Sequence, residues 1–248
     1  MAIDTTKTIR EFVLELPSSI QVFEELGIDY CCGGQKPLGE ACTAGVKLGN
    51  VVAALDALQG QQQSRAEDGQ NLAKDWTRES LEDLIDHITG KHHVYVKQRI
   101  PAIQSLLRKV TAKHGANHSE LAIVDDRFAA LADELTMHLM KEEQILFPYI
   151  ARAEDASLQH EPAPPSCFGS VENPIRMMLS EHDSAGDALR EMRKATSGYT
   201  VPEDGCTSFR ALYALLQEFE ADLHQHIHLE NNILFPRALQ TAGLAVAV

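Results

Sequence analysis

The sequence predicts an all-α protein, a four-helix bundle preceded by a small helical N-terminal domain. Three observations predict it. Four long segments, at residues 80–113, 119–152, 171–196 and 205–240, carry apolar side chains at helical spacing. No stretch alternates apolar and polar residues long enough to read as a strand. One distinctive pattern also occurs twice, at the ends of the second and fourth segments, so the bundle is expected to consist of two similar helix pairs.

Residues 1–58 form the first unit, in which Ile9, Phe12, Val13 and Leu16, then Ile20, Val22, Phe23 and Leu26, fall at helical spacing. Pro17 and Ser18 between them suit a helix start. Asp29-Tyr30-Cys31-Cys32-Gly33-Gly34 reads as a tight turn because of its glycines, and a last helix is expected over Leu48–Leu58. Residues 59–75 are polar and Gln-rich without an apolar period, which reads as a linker. Residues 76–240 carry the bundle. A Pro-rich break at 161–166 separates its second and third helices, and Gly198 to Gly205 separates its third and fourth. Residues 241–248 read as a frayed tail.

Composition narrows the function classes. Of 248 residues, 36 are acidic and 22 basic, a formal net charge of −14. Such a surface disfavours nucleic acid, whose non-specific binding runs on Lys and Arg, and it disfavours anionic membranes. No apolar run approaches the ~20 residues of a spanning helix, and the start MAIDTTKTIREF lacks the apolar core of a signal peptide. The expectation is a cytoplasmic protein with reduced thiols, since five cysteines are an odd set and the adjacent Cys31 and Cys32 are poorly placed to bond each other.

The repeat carries the chemistry. The second long helix ends with HLMKEEQILFP at 138–148 and the fourth with HIHLENNILFP at 226–236, which share H-x-x-x-E-x-x-I-L-F-P. Residues i and i+4 share a helix face. His138 and Glu142 continue the apolar stripe Phe128, Leu131, Leu135, with Ile145 beyond, and His226 and Glu230 continue Leu212, Leu216, Phe219, Leu223. Both pairs therefore point into the core, where an unpartnered carboxylate is costly. Two carboxylates and two imidazoles converging there point to metal. On the third helix His182 sits on the stripe Ile175, Met178, Ala185, Leu189, Met192. Its equivalent on the first helix is His93, with His92 and His87 as competitors in helix phase. If Glu142 and Glu230 each bridge two metals, each ion receives two imidazoles and two carboxylate oxygens. A bridging oxo or hydroxo group makes five, and a six-coordinate ion keeps an open position. That ligation suits non-haem iron, with manganese and zinc as alternatives.

These motifs resemble the RIC proteins (repair of iron centres), the iron–sulfur cluster repair di-iron family. That family joins a small N-terminal domain carrying D-Y-C-C-G-G to a hemerythrin-like four-helix bundle. Here the motifs are Asp29 to Gly34, Ile85-Asp86-His87 with His93 beyond, the two H-x-x-x-E segments, and SEHDSAG at 180–186. The resemblance implies two non-haem irons, oxo- or hydroxo-bridged, on His93, His138, Glu142, His182, His226 and Glu230. It selects His93 over His92 by its position eight residues before Pro101. It further implies that Glu134 and Glu181 stand near the metal and that Cys31 and Cys32 do thiol chemistry or transient metal handling.

The implied role is repair of iron–sulfur clusters damaged by nitrosative or oxidative stress. The iron pair would either bind and reduce nitric oxide or supply iron. Expected partners are nitric oxide or another small diatomic and, transiently, damaged iron–sulfur proteins; a homodimer is compatible with the sequence. The alternative is a hemerythrin-like oxygen-binding or sensing module. His114, His118 and His160 lie in polar stretches and read as surface residues; His87, His92, His224 and His228 read as neighbours of the site or solvated side chains. Cys206 reads as structural, and Cys42, Cys167 and the insert at 153–166 receive no role.

Overall fold

The structure is a computed structural model that describes residues 3–42, 46–67 and 74–243. The N-terminal unit holds α1 (Ile9–Glu15), α2 (Ser19–Leu26), α3 (Leu38–Ala41) and α4 (Leu48–Glu67). Thr8 and Glu11 form a reciprocal cap at the start of α1, satisfying two N–H groups that the first turn leaves open. Gly27, at φ 65°, ends α2 in the left-handed conformation that a side chain would resist. The loop after the Asp29–Gly34 turn folds back along α1, with Ile9 N–H donating to the Lys36 carbonyl at 2.9 Å and Arg10 N–H to that of Gly34 at 2.7 Å. The isolated bridge Thr8–Pro37 is the extended pairing found among the described residues.

The helix expected over 48–58 runs on to Glu67, so the first part of the expected linker is helical. Gln, Arg, Ala and Glu are good helix formers, so the helix continues without an apolar stripe. Residues 68–73 of that linker, and 244–248 of the expected tail, lie outside the described residues.

The bundle begins at α5 (Leu81–His87). Ser80 caps it through the Asp83 N–H, and the Glu154 carboxylate, from across the bundle, accepts the Leu81 N–H at 2.7 Å. A π-helical turn (Ile88–His93) leads into α6 (Val94–His114). The second long helix is α7 (Glu120–Lys141), a π turn (Glu142–Leu146) and α8 (Phe147–Leu158), so it extends beyond the expected end at 152. The third is α9 (Glu172–Ala195). The fourth is α10 (Thr207–Leu229), a π turn (Glu230–Leu234) and α11 (Phe235–Thr241). α6 packs on α7 and α10, and α7 packs on α9.

The apolar interior falls into two clusters. One, built around Val96, Ile103, Phe128, Leu189 and Phe219, merges with the N-terminal residues Ile9, Phe12, Phe23, Tyr30 and Leu55. The other is built around Leu84, Ile88, Leu146, Ile175 and Leu234. Along each long helix the switch between clusters occurs where the sequence places His or Glu: between Ile88 and Val96, Leu139 and Leu146, Met178 and Ala185, Ile227 and Leu229. The fold therefore encloses a polar layer between two apolar ones.

Candidate metal centre

Three of the four long helices widen into a π turn at the polar layer. Such turns insert one extra residue and are frequent at functional sites. In two of them the local sequence supplies the cause. Pro148 and Pro236 lack an N–H, and their rings displace the carbonyl four residues back. For Pro236 that carbonyl belongs to Asn232, and Arg10 of the N-terminal unit takes it up through Nε at 3.1 Å. The extra residue also rotates the side chains downstream of it. Ile145, expected on the core stripe, is 45% exposed, and Leu146 fills the interior instead. Its repeat equivalent Ile233 is buried beside Leu14 of the N-terminal unit.

The six residues singled out from the sequence meet in this layer, each at most 2% exposed. They form two four-residue groups, His93–Glu142–His226–Glu230 and His138–Glu142–His182–Glu230, with donor atoms in each within 4.8 Å of one another. Both glutamates belong to both groups. Glu142 offers Oε2 to His93 (3.5 Å) and Oε1 to His138 (3.3 Å). Glu230 offers Oε1 to His226 (3.0 Å) and Oε2 to His182 (3.1 Å). Each carboxylate thus turns one oxygen to each group.

The far sides of the imidazoles fix which nitrogen faces inward. His93 Nδ1 lies 2.8 Å from Glu143 Oε1, His138 Nδ1 2.8 Å from Glu181 Oε2, and His182 Nδ1 2.7 Å from Asn231 Oδ1. These partners accept only, so each Nδ1 carries a proton and leaves Nε2 facing inward, where it offers a lone pair once the ring is neutral. There the Nε2 atoms of His93 and His226 stand 3.1 Å apart, and those of His138 and His182 3.0 Å apart. Two lone pairs at that distance need a cation or a proton between them. Glu142 has no hydrogen-bond partner for either oxygen by strict geometry, and Glu230 Oε2 has none either. Such atoms are expensive to bury unless a cation fills the space between them, so the donor set fits a pair of metal ions.

Protons occupy that role when no metal does. Burial opposes charge on His93, but the carboxylates of Glu142 and Glu230 facing its Nε2 outweigh it and raise its pKa to about 10. On His138 burial is likewise outweighed, by the charge of the Glu142 carboxylate beside it, and the pKa rises to about 9. Burial lowers that of His226, whose Nδ1 has no partner. Glu230 is held well below the usual carboxylate range; burial opposes this, but the charge and hydrogen bond of His226 and the nearby rings of His182 and His93 prevail.

The Asp29–Gly34 turn docks directly on this layer. Asp29 Oδ1 accepts the N–H groups of Cys31, Cys32 and Gly33 at 3.2, 2.9 and 3.0 Å, which coils the turn around it. Asn232 Nδ2 donates to the Tyr30 carbonyl at 2.9 Å, and Asn231 Nδ2 to that of Cys31 at 3.2 Å. The latter is the same Asn231 whose Oδ1 faces His182. Cys32 Sγ lies 3.6 Å from the His182 carbonyl. The two thiols are unbonded, 3.8 Å apart, Cys31 buried and Cys32 partly exposed. The neighbouring Cys32 thiol and burial push the Cys31 thiol well up. Tyr30 is wedged against the rings of His224 and His228, at 6.2 and 5.7 Å between centroids.

Glu181 supports His138 and also pairs with Lys141. Glu134 is exposed and makes no hydrogen bond to any of the six. Glu143 and Asn231 are the residues that sequence reading missed; they occupy equivalent positions in the repeat, one after each glutamate, and that position was the available signal. His87, His92, His224 and His228 stay outside both groups. His92 pairs with Asp222 at 3.0 Å and stacks on His226. His114 is a correction: it is buried, its Nε2 3.2 Å from Cys206 Sγ, because it packs edge-on against Phe209 at the end of α6. His118 is mostly buried as well, 13% exposed at its side chain, between two carboxylates.

Two family models match the chain, one over each part. The hemerythrin HHE cation binding domain matches residues 84–238, and a domain of unknown function, DUF542, matches residues 5–59. A probable iron-sulfur cluster repair protein of Haemophilus influenzae is 38% identical over 231 residues, 93% of this chain and 96% of its own. The iron-sulfur cluster repair protein YtfE of Pectobacterium atrosepticum is 34% identical and that of Yersinia pseudotuberculosis 33%, each over 94% of this chain and 97% of the relative. With both family models matched and relatives at 33–38% identity aligned nearly end to end, the chain belongs to the iron–sulfur cluster repair family with a hemerythrin HHE bundle.

Proposed function

We propose that the bundle holds two iron ions bridged by Glu142 and Glu230, His93 and His226 completing the ligands of one and His138 and His182 those of the other. In this reading the pair serves the repair of iron–sulfur clusters damaged by nitrosative or oxidative stress. The observation that carries it is the sharing of both glutamates between two histidine pairs. Bound iron at such a site supplies one-electron chemistry and, at an open position, affinity for small diatomics such as nitric oxide.

The chain's own residues set the conditions. Glu143, Glu181 and Asn231 hold three of the imidazoles in the tautomer that offers Nε2 inward. The two apolar clusters keep bulk water from the layer. Cys31 and Cys32, against the His182 carbonyl and Asn231, put two thiols beside the site, where they handle iron or electrons passing to a damaged cluster. The work is cytoplasmic in this reading, where those thiols stay reduced; no described helix is long and apolar enough to cross a membrane. The relatives carry names that speak of repair and none that speaks of oxygen carriage, which favours this reading over an oxygen-binding module.

The test is addition of nitric oxide to the reduced, iron-loaded protein, followed by a cluster-repair assay. A change in the visible spectrum, with repair lost in the Cys31→Ser/Cys32→Ser variant while its bundle iron is retained, is the expected result. An unchanged spectrum, or a stable reversible oxygen adduct, contradicts the proposal.

A further inference from the structure

A second cluster of metal-ligating side chains lies away from the polar layer. His114 closes α6, 21 residues after His93 and so about 30 Å along the helix at ~1.5 Å per residue. His118 sits in the turn to α7, where its backbone N–H bonds the His114 carbonyl at 3.0 Å. Asp204 and Cys206 flank Gly205 ahead of α10. A Cβ on Gly205 would stand 2.6 Å from Val201 Cγ1 and 2.8 Å from the Pro202 carbonyl, so the turn that presents both side chains tolerates no other residue without shifting.

Three donors converge, and the Cys206 thiol adjoins one of them. A ring nitrogen of His114, one of His118 and a carboxylate oxygen of Asp204 lie within 4.8 Å of one another. His118 Nε2 is 3.0 Å from Asp204 Oδ1, and His114 Nε2 is 3.2 Å from Cys206 Sγ. Around a tetrahedral zinc ion, N–O and N–S ligand pairs stand roughly 3.4–3.6 Å apart by the usual bond lengths, so an ion would be admitted by small outward movements of these two pairs and an inward turn of the Cys206 side chain, whose sulfur lies outside the group of three. His118 Nδ1 is held by Glu120 Oε1 at 2.8 Å, which turns Nε2 toward Asp204, the carboxylate–histidine arrangement common behind metal-bound imidazoles. Both rings lean edge-on against buried Phe209, each 5.3 Å between centroids, which limits their rotation.

We propose that His114, His118, Asp204 and Cys206 form a second cation site, for a zinc-class ion, that clamps the end of α6 to the start of α10. Two imidazoles, a thiolate and a carboxylate suit zinc and the similarly sized cobalt(II) better than the oxygen-seeking magnesium or calcium. On binding, the Cys206 thiol gives its proton to solvent and sulfur takes the metal; no electrons are exchanged. With Cys206 turned in, the site would be closed by four protein ligands, as structural zinc sites are, and independent of the bundle iron.

Cobalt(II) is the probe, added to the full-length, iron-loaded protein under anaerobic conditions. The expected result is one further cobalt per chain with a thiolate-to-cobalt absorption band. The band disappears in Cys206→Ser, in which serine is itself a good helix cap, and affinity falls at least tenfold in His118→Ala and in Asp204→Asn. Asp204 is largely exposed, so its replacement leaves folding intact. In parallel, one equivalent of zinc protects Cys206 from alkylation in the parent protein and not in His118→Ala. Cobalt binding and alkylation rates that are the same in parent and variants would overturn the proposal and leave His118 as an ion pair with Asp204 and Glu120.

Discussion

Glu143 and Asn231 are equivalent residues of the internal repeat, and each receives the Nδ1–H of an imidazole from the preceding long helix: His93 at 2.8 Å for Glu143, His182 at 2.7 Å for Asn231. The two helix pairs thus fix their first histidine in the same way. They differ in the groups that stand behind. Glu143 is also paired with Lys97 at 2.6 Å, on the surface. Asn231 uses its other amide group to hold the Cys31 carbonyl, so one half of the site is tied to solvent and the other to the cysteine turn.

Removing either support should loosen metal rather than abolish the fold. Loss of a group that orients a metal-bound imidazole typically costs 10–100-fold in affinity. Glu143→Ala is expected to fall in that range and Glu143→Gln, which keeps an acceptor, well below it. Chelator competition on the loaded protein measures both. Equal affinities in parent and Glu143→Ala would contradict the assigned role.

Sharing of the glutamates makes a sharper statement. Because each carboxylate serves both groups, Glu142→Gln should remove both ions rather than one, lowering metal per chain by more than half. Metal analysis after identical purification checks this. Retention of one tightly held ion would mean that the groups are separate sites.

Metal uptake should depend on pH with a definite sign. In the metal-free protein the raised values of His93, about 10, and His138, about 9, keep protons on rings that the metal needs neutral. Loading at pH 7 must expel them, so affinity rises with pH and levels off only above these values, at up to tenfold per proton per pH unit. Competition titrations between pH 6 and 8.5 read the slope, and proton release can be followed in weak buffer. A flat profile would contradict it.

Docking of the cysteine turn rests on close backbone approach. A Cβ on Gly34 would stand 2.8 Å from Asn232 Oδ1 and 3.1 Å from the Tyr30 carbonyl. Gly34→Val should therefore weaken the Tyr30–Asn232 contact, at a cost of about 1–3 kcal/mol for an overpacked position. Cys31, now buried, should alkylate faster while bundle metal is unchanged. Unaltered thiol reactivity would show that the turn adapts without leaving the bundle.

Much of this architecture is legible in the sequence because it rests on periodicity. The stripes through Leu212, Leu216, Phe219 and Leu223 or through Ile175, Met178 and His182 are buried as a 3.6-residue repeat requires. A change of period is beyond the reach of that signal. The π turns at Ile88–His93, Glu142–Leu146 and Glu230–Leu234 add a residue each, which is why Ile145 turns outward where a regular helix would bury it. His114 failed for another reason. Its neighbours in sequence are polar, but its neighbours in space, Phe209 and Cys206, come from a segment about 90 residues away. Polarity along the chain says little about burial at a helix end where another helix begins.

The most direct test of the central claim is the iron content of the chain after anaerobic purification without added metal. Two irons per chain are predicted, held by the six buried side chains between the apolar clusters. Less than one iron per chain, whatever the zinc content, would contradict it and leave Glu142 and Glu230 as buried carboxylates balanced only by the protons on His93 and His138.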